Sequence, residues 1–166
     1  MQTTKQELSR DEIEALRVEL KPSERILQII HFNLLVGPAV LTAYFYFTSQ
    51  KIGGNDAPVP LLFFLLGVLS VVPSFLVPTL LRNSKQTPDQ RTPGDLCSRY
   101  QISHIVGAAI LESGIIFSAL AFTIADVVPN WFVLVPAILI LVLLLRFPLP
   151  GRLADWVISQ LESRRD

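Results

Sequence analysis

Four long apolar runs, almost free of charge, alternate with short polar segments along the chain; they cover 26–47, 59–81, 102–125 and 127–147. A helix rises 1.5 Å per residue and the hydrocarbon core of a bilayer is about 30 Å thick, so roughly 20 apolar residues make one crossing. Each run is long enough. A soluble core helix keeps a polar stripe, and the second and fourth runs have almost none. The pattern therefore predicts an all-α fold, an integral membrane four-helix bundle with amphipathic helices flanking it at both ends.

The flanks follow a different rhythm. Ser9-Arg10-Asp11-Glu12 has the spacing of a capping box, and Ile13, Leu16 and Leu20 fall on one face behind it. Residues 1–25 thus form an N-terminal amphipathic segment, 26–147 the membrane domain, and 148–166 a C-terminal amphipathic tail. In that tail Leu153, Trp156, Val157 and Leu161 share a stripe beginning after Pro148 and Pro150. A tryptophan beside basic residues suits a headgroup layer, and a tail packed on the end of the bundle fits equally well. Loop one, 48–58, holds the turn-forming Gly53-Gly54-Asn55-Asp56. Loop two, 82–99, is longer, with Pro88, Pro93 and Gly94. Pro129 and Asn130 join the last two runs as a tight hairpin.

Charge sets the orientation. Lys5, Arg10, Arg17, Lys21 and Arg25 precede the first run. Arg82, Lys85, Arg91 and Arg99 lie in loop two, and Arg146, Arg152, Arg164 and Arg165 at or beyond the end of the fourth. Of 14 basic residues only Lys51 falls on the other side. Positive charge marks the cytoplasmic face, so both termini are expected in the cytoplasm, in a plasma or inner membrane. Acidic residues also number 14; this balance argues against a nucleic-acid partner. The single cysteine, Cys97, excludes an internal disulfide framework. The polar opening of about 25 residues lacks the early apolar region of a signal peptide, so the first run is expected to remain as an anchor.

Glu112 is the residue with most to say about chemistry. It stands mid-run among Gly107-Ala108-Ala109-Ile110-Leu111 and Ser113-Gly114. A charge at that depth costs about 2.5–3.5 kcal/mol, so a neutral carboxyl hydrogen-bonded to a neighbouring helix is expected. Gly37 and Ser70 lie at comparable depth, and Pro38 and Pro73 free the carbonyls of Leu34 and Leu69; Ser70 and those carbonyls are the expected acceptors. Gln101, His104, Ala108, Glu112, Ala119 and Thr123 share one polar-to-small face. Ser103, Gly107, Gly114, Ser118 and Ala121 form a second stripe nearly opposite. Small residues let membrane helices approach, so Gly107 and Gly114 are packing positions and the third helix is central. His31 and Asn33 enter the first run near its cytoplasmic end, as His104 does the third. His104 and Glu112 are separated by eight residues, about 12 Å of helix, too far for one metal. No metal or cofactor is expected.

Gly107-Ala108-Ala109-Ile110-Leu111-Glu112 and the apolar run after it resemble the carboxylate helix of rotary-ATPase proteolipids. That resemblance covers about 20 residues and implies that Glu112 is an ion-binding residue. The chain departs from the family in lacking a glycine-repeat helix and in carrying its acid on the third run rather than the fourth. As a whole it resembles small uncharacterised four-span bacterial membrane proteins. No His-Glu-x-x-His, Gly-x-Ser-x-Gly, phosphate-loop or Cys-x-x-Cys motif is present. The expected function is non-enzymatic: a structural or accessory subunit or homo-oligomer, with the lipid bilayer and a second copy or another membrane protein as partners. The alternatives are a proton or cation pathway through Glu112 and an intramembrane enzyme.

Overall fold

The computed structural model describes residues 8–49, 59–84, 92–124 and 130–162, and all regular structure among them is helical. The helices are α1 (Arg10–Ser49), α2 (Val59–Leu69), α3 (Val71–Asn83), α4 (Pro93–Ile124), α5 (Leu134–Leu145) and α6 (Arg152–Glu162), with a 3-10 turn at Asn130–Val133 leading into α5. Three stretches are long and apolar enough to cross a membrane: Arg10–Thr48, Pro60–Asn83 and Pro93–Ile124.

α1 begins on the expected capping box. The Ser9 amide donates to the Glu12 carboxylate at 2.8 Å and the Glu12 amide to the Ser9 hydroxyl at 3.3 Å. It then runs 40 residues without a break, so the amphipathic segment and the first apolar run are one helix. Two prolines, Pro22 and Pro38, lie inside it. The second run divides at Ser70, whose amide is shared between the Leu66 and Gly67 carbonyls at 3.1 and 3.2 Å. Pro73, with no N–H, cannot close a bond back to Leu69.

Two boundaries differ from the reading of the apolar runs. α4 starts at Pro93, nine residues before the third run, because Thr92 and Asp95 make a second capping box. The Asp95 amide donates to the Thr92 hydroxyl, and the Thr92 amide and hydroxyl both reach the Asp95 carboxylate. Proline suits the first helical position, where its missing N–H leaves nothing unpaired. In the fourth run the α-helix is only 12 residues, Leu134–Leu145. The run's first residues, 127–129, and most of loop one lie outside the described residues, as does the expected turn at Pro129.

α4 is the axis of the molecule and touches every other helix. The core forms three layers along it. At one end Leu20, Leu27, Leu96, Cys97, Tyr100, Leu153 and Val157 join α1, α4 and α6. In the middle Ala108, Leu111, Ile115, Leu139 and Leu143 join α4 to α5. At the other end Phe64 meets Phe122 and Phe132 edge to face in an aromatic layer. α6 buries Leu153, Ala154, Val157 and Ile158, and Trp156 packs on Tyr100 with ring centroids 5.4 Å apart. Its first turn is capped from α1: the Glu24 carboxylate accepts from the Gly151 and Ala154 amides at 3.1 and 3.3 Å. Gly151 adopts φ 85°, a conformation that favours glycine, to make the elbow before α6.

Candidate functional site

The two small-to-polar faces of α4 meet different neighbours. Gln101 donates to the Ser23 carbonyl and His104 meets His31, so one face lies against α1. The other lies against α2 and α3. A Cβ added at Gly114 would overlap the Ser70 side chain and stand 3.1 Å from the Gly67 carbonyl oxygen. A Cβ added at Gly67 would overlap the Ser118 hydroxyl and stand 2.9 Å from the Gly114 carbonyl oxygen. Here two helix backbones cross in contact, with Gly67 as the partner of Gly114.

Glu112 is half-buried on α4 and has no hydrogen-bond or ionic partner among the described residues. The Ser70 hydroxyl donates instead to the Gly67 carbonyl of its own chain segment at 2.7 Å. Asn33 is exposed and donates back to the Ile29 carbonyl at 2.9 Å. The structure therefore does not gather Ser70 and Asn33 around Glu112.

It does bring together the two histidines. His31 Nε2 lies 2.9 Å from the Leu143 carbonyl oxygen, and His104 Nε2 lies 2.9 Å from His31 Nδ1. Both rings are buried, with 1% and 6% exposure. A carbonyl only accepts, so His31 Nε2 carries the hydrogen it donates. With His31 neutral, its bare Nδ1 then accepts from the Nε2–H of His104. The pair is a hydrogen-bonded line from α4 through α1 to the Leu143 carbonyl of α5, which also accepts from the Arg146 amide at 3.2 Å. Among the described residues no group of three or more His, Cys, Asp or Glu is placed to hold a metal.

His104 also lines a partly open cavity of about 250 Å³ between α3, α4 and the elbow joining α5 to α6. Its walls carry Arg82, Arg146 and Arg152, with Phe75, Tyr100 and Pro148, and no acidic residue among the described ones. Arg82 Nε donates to the Ser103 hydroxyl at 2.8 Å, and its guanidinium lies 4.5 Å from the Tyr100 ring centre. Arg146 Nη1 donates to the Ser74 carbonyl at 2.8 Å and its guanidinium lies 4.6 Å from the Phe75 ring centre. Gly107 makes room for this arm: a Cβ there would stand 2.6 Å from Arg146 Nη2 and from Pro78 Cγ.

Read along the chain, Arg82, Arg146 and Arg152 are orientation charges only. Their convergence depends on how α3, α4 and the elbow meet, which hydropathy does not encode. The one sequence signal is that Arg82 and Arg146 each close an apolar run, so a bundle sets them at similar depth. Compared with known proteins, the chain matches no family model, no curated protein and no solved structure.

Proposed function

We propose that this chain is a multi-pass integral membrane protein with four spans and cytoplasmic termini, acting non-enzymatically as a structural or accessory subunit or as a homo-oligomer. The observation that carries the membrane reading is the outward face of the helices. Val40, Leu69, Val72 and Leu80 are each at least 60% exposed, and Tyr44, Leu62, Leu76, Ile138 and Leu141 at least 52%. A monomer in water rarely shows contiguous apolar surface beyond a few hundred Å²; against lipid the same surface costs nothing. The fourth crossing is supported by length. Four 3-10 residues and 12 α-helical ones extend about 26 Å, close to the thickness of the hydrocarbon core, and Arg146 closes them at the interface.

A scaffolding role is supported by α4, which uses both its small-residue faces in packing. The test is alkaline carbonate washing of membranes, followed by measurement of the native complex in mild detergent. Retention in the pellet and a discrete complex, larger than one chain, are expected. Release by carbonate defeats the membrane reading, and a monodisperse monomer without partners defeats the assembly reading.

A second reading, a proton or cation pathway, is favoured by one observation. Glu112 is half-buried with no protein partner among the described residues. An intramembrane carboxyl left unpaired in one chain is placed to meet a proton, a cation or a second copy.

A further inference from the structure

We propose that the arginine-lined cavity is a binding site for a phosphate group, with the headgroup of an anionic membrane lipid as the source its surroundings favour. Arg82, Arg146 and Arg152 line one space, and no carboxylate is among the described residues of its walls. The acids next to the elbow are engaged elsewhere: Glu24 caps α6 through the Gly151 and Ala154 amides, and Asp155 pairs with Arg17 at 2.9 Å. Arg82 and Arg146 are close enough to repel one another, and an anion between them turns that repulsion into attraction on both sides.

Donors remain for it. Each guanidinium has five N–H groups in a planar fork. Arg82 and Arg146 each use one N–H on Ser103 and Ser74, and the Arg152 side chain has no partner among the described residues. Forked donors match phosphate oxygens in pairs. A cavity of about 250 Å³ lies below the usual range for drug-sized ligands and suits one small anionic group.

The flanking surface indicates where that group comes from. Phe75 and Leu145 stand in the cavity wall and are themselves 49% and 73% exposed, and Leu76 and Leu141 continue the apolar surface along α3 and α5. A phospholipid with its phosphate in the cavity lays its acyl chains along this surface. The lipid source rests on the membrane reading above; the phosphate site does not, since a free phosphate ester fits the same donors.

The experiment uses the full chain in detergent micelles. Native mass spectrometry compares retention of phosphatidylglycerol with phosphatidylcholine, and calorimetry follows inorganic phosphate. Preferential retention of phosphatidylglycerol, reduced roughly tenfold in Arg152→Gln and in Arg82→Gln, is expected. Arg10→Gln removes the same charge from α1 outside the cavity and should leave retention unchanged. Arg82→Gln and Arg146→Gln also lose the bonds to Ser103 and Ser74, so Arg152→Gln carries the test. Arg152-dependent binding of inorganic phosphate that displaces the lipid supports the site with a soluble ligand. Absence of both lipid preference and phosphate binding, or equal losses in Arg152→Gln and Arg10→Gln, overturns it. A chain that stays in solution without detergent defeats the membrane reading alone, because the phosphate titration still reports on the cavity.

Discussion

His104 Nε2 meets His31 Nδ1 at 2.9 Å inside the bundle, joining α4 to α1 through two imidazoles rather than through apolar contact. The far nitrogen of His31 continues to the Leu143 carbonyl at 2.9 Å, so three helices share one hydrogen-bonded line. Removing a single member leaves a buried polar group unpaired, at a cost of about 1–3 kcal/mol. His31→Leu and His104→Leu are each expected to lower thermal stability in detergent. The double variant should lose less than the sum of the two, with a coupling of about 0.5–3 kcal/mol. Strict additivity would mean that the two rings do not interact.

The glycines separate into close-packed and free positions. Gly114 and Gly67 face one another's backbones, and Gly107 lies under Arg146 and Pro78, while a Cβ at Gly37 meets nothing within 4 Å. Gly67→Ala, Gly107→Ala and Gly114→Ala should each lower the melting temperature, and the leucine variants at these positions should fail to assemble. Gly37→Ala should be neutral or slightly stabilising, since alanine restricts the unfolded chain. Similar melting of all four alanine variants would contradict the crossing.

α6 depends on a cap from a distant helix. The Glu24 carboxylate accepts from two amides of the first turn of α6, where a negative charge also complements the helix dipole. Glu24→Ala should cost about 0.5–2 kcal/mol. The loss should appear as faster hydrogen exchange in 152–162, with the α4 core unaffected. Unchanged exchange in α6 would remove the cap from the account.

Much of this fold is legible in hydropathy, and the site is not. The first three apolar runs correspond to helices of membrane-spanning length, and Ser9 with Glu12 marks the start of α1 by spacing alone. Thr92 and Asp95 have the same spacing, but Pro93 and Gly94 between them read as loop, so the early start of α4 is hidden. Gly114 is legible as a packing position because it stands in a small-residue stripe. Its partner Gly67 stands among large apolar residues and gives no such signal. His31 and His104 are separated by 73 residues, and nothing local indicates that their rings meet. The expected hydrogen bond from Glu112 to Ser70 fails for a simple reason: Ser70 lies on the α2–α4 seam, whereas Glu112 lies on the flank of the face turned toward α1.

That placement changes what substitution of Glu112 should do. Without a protein partner to lose, Glu112→Gln and Glu112→Leu are both expected to melt at or above the wild-type temperature, since a desolvated carboxyl is replaced by a less costly group. A conducting role predicts proton or cation flux into dye-loaded liposomes for the wild type and none for either variant. Destabilisation by Glu112→Leu alone would show a hydrogen-bond partner that one chain does not supply, such as a second copy.

A chain threaded through the membrane with both ends in the cytoplasm predicts one pattern of thiol labelling in sealed cells. Cys97 is buried; in a Cys97→Ser background, single cysteines are placed at Asn55, between the first two runs, and at Asn83, beside Arg82. A membrane-impermeant maleimide should label Asn55→Cys in intact cells and Asn83→Cys only after permeabilisation. Labelling of Asn83→Cys in intact cells with Asn55→Cys protected would contradict the topology, and labelling of both would contradict the membrane reading itself.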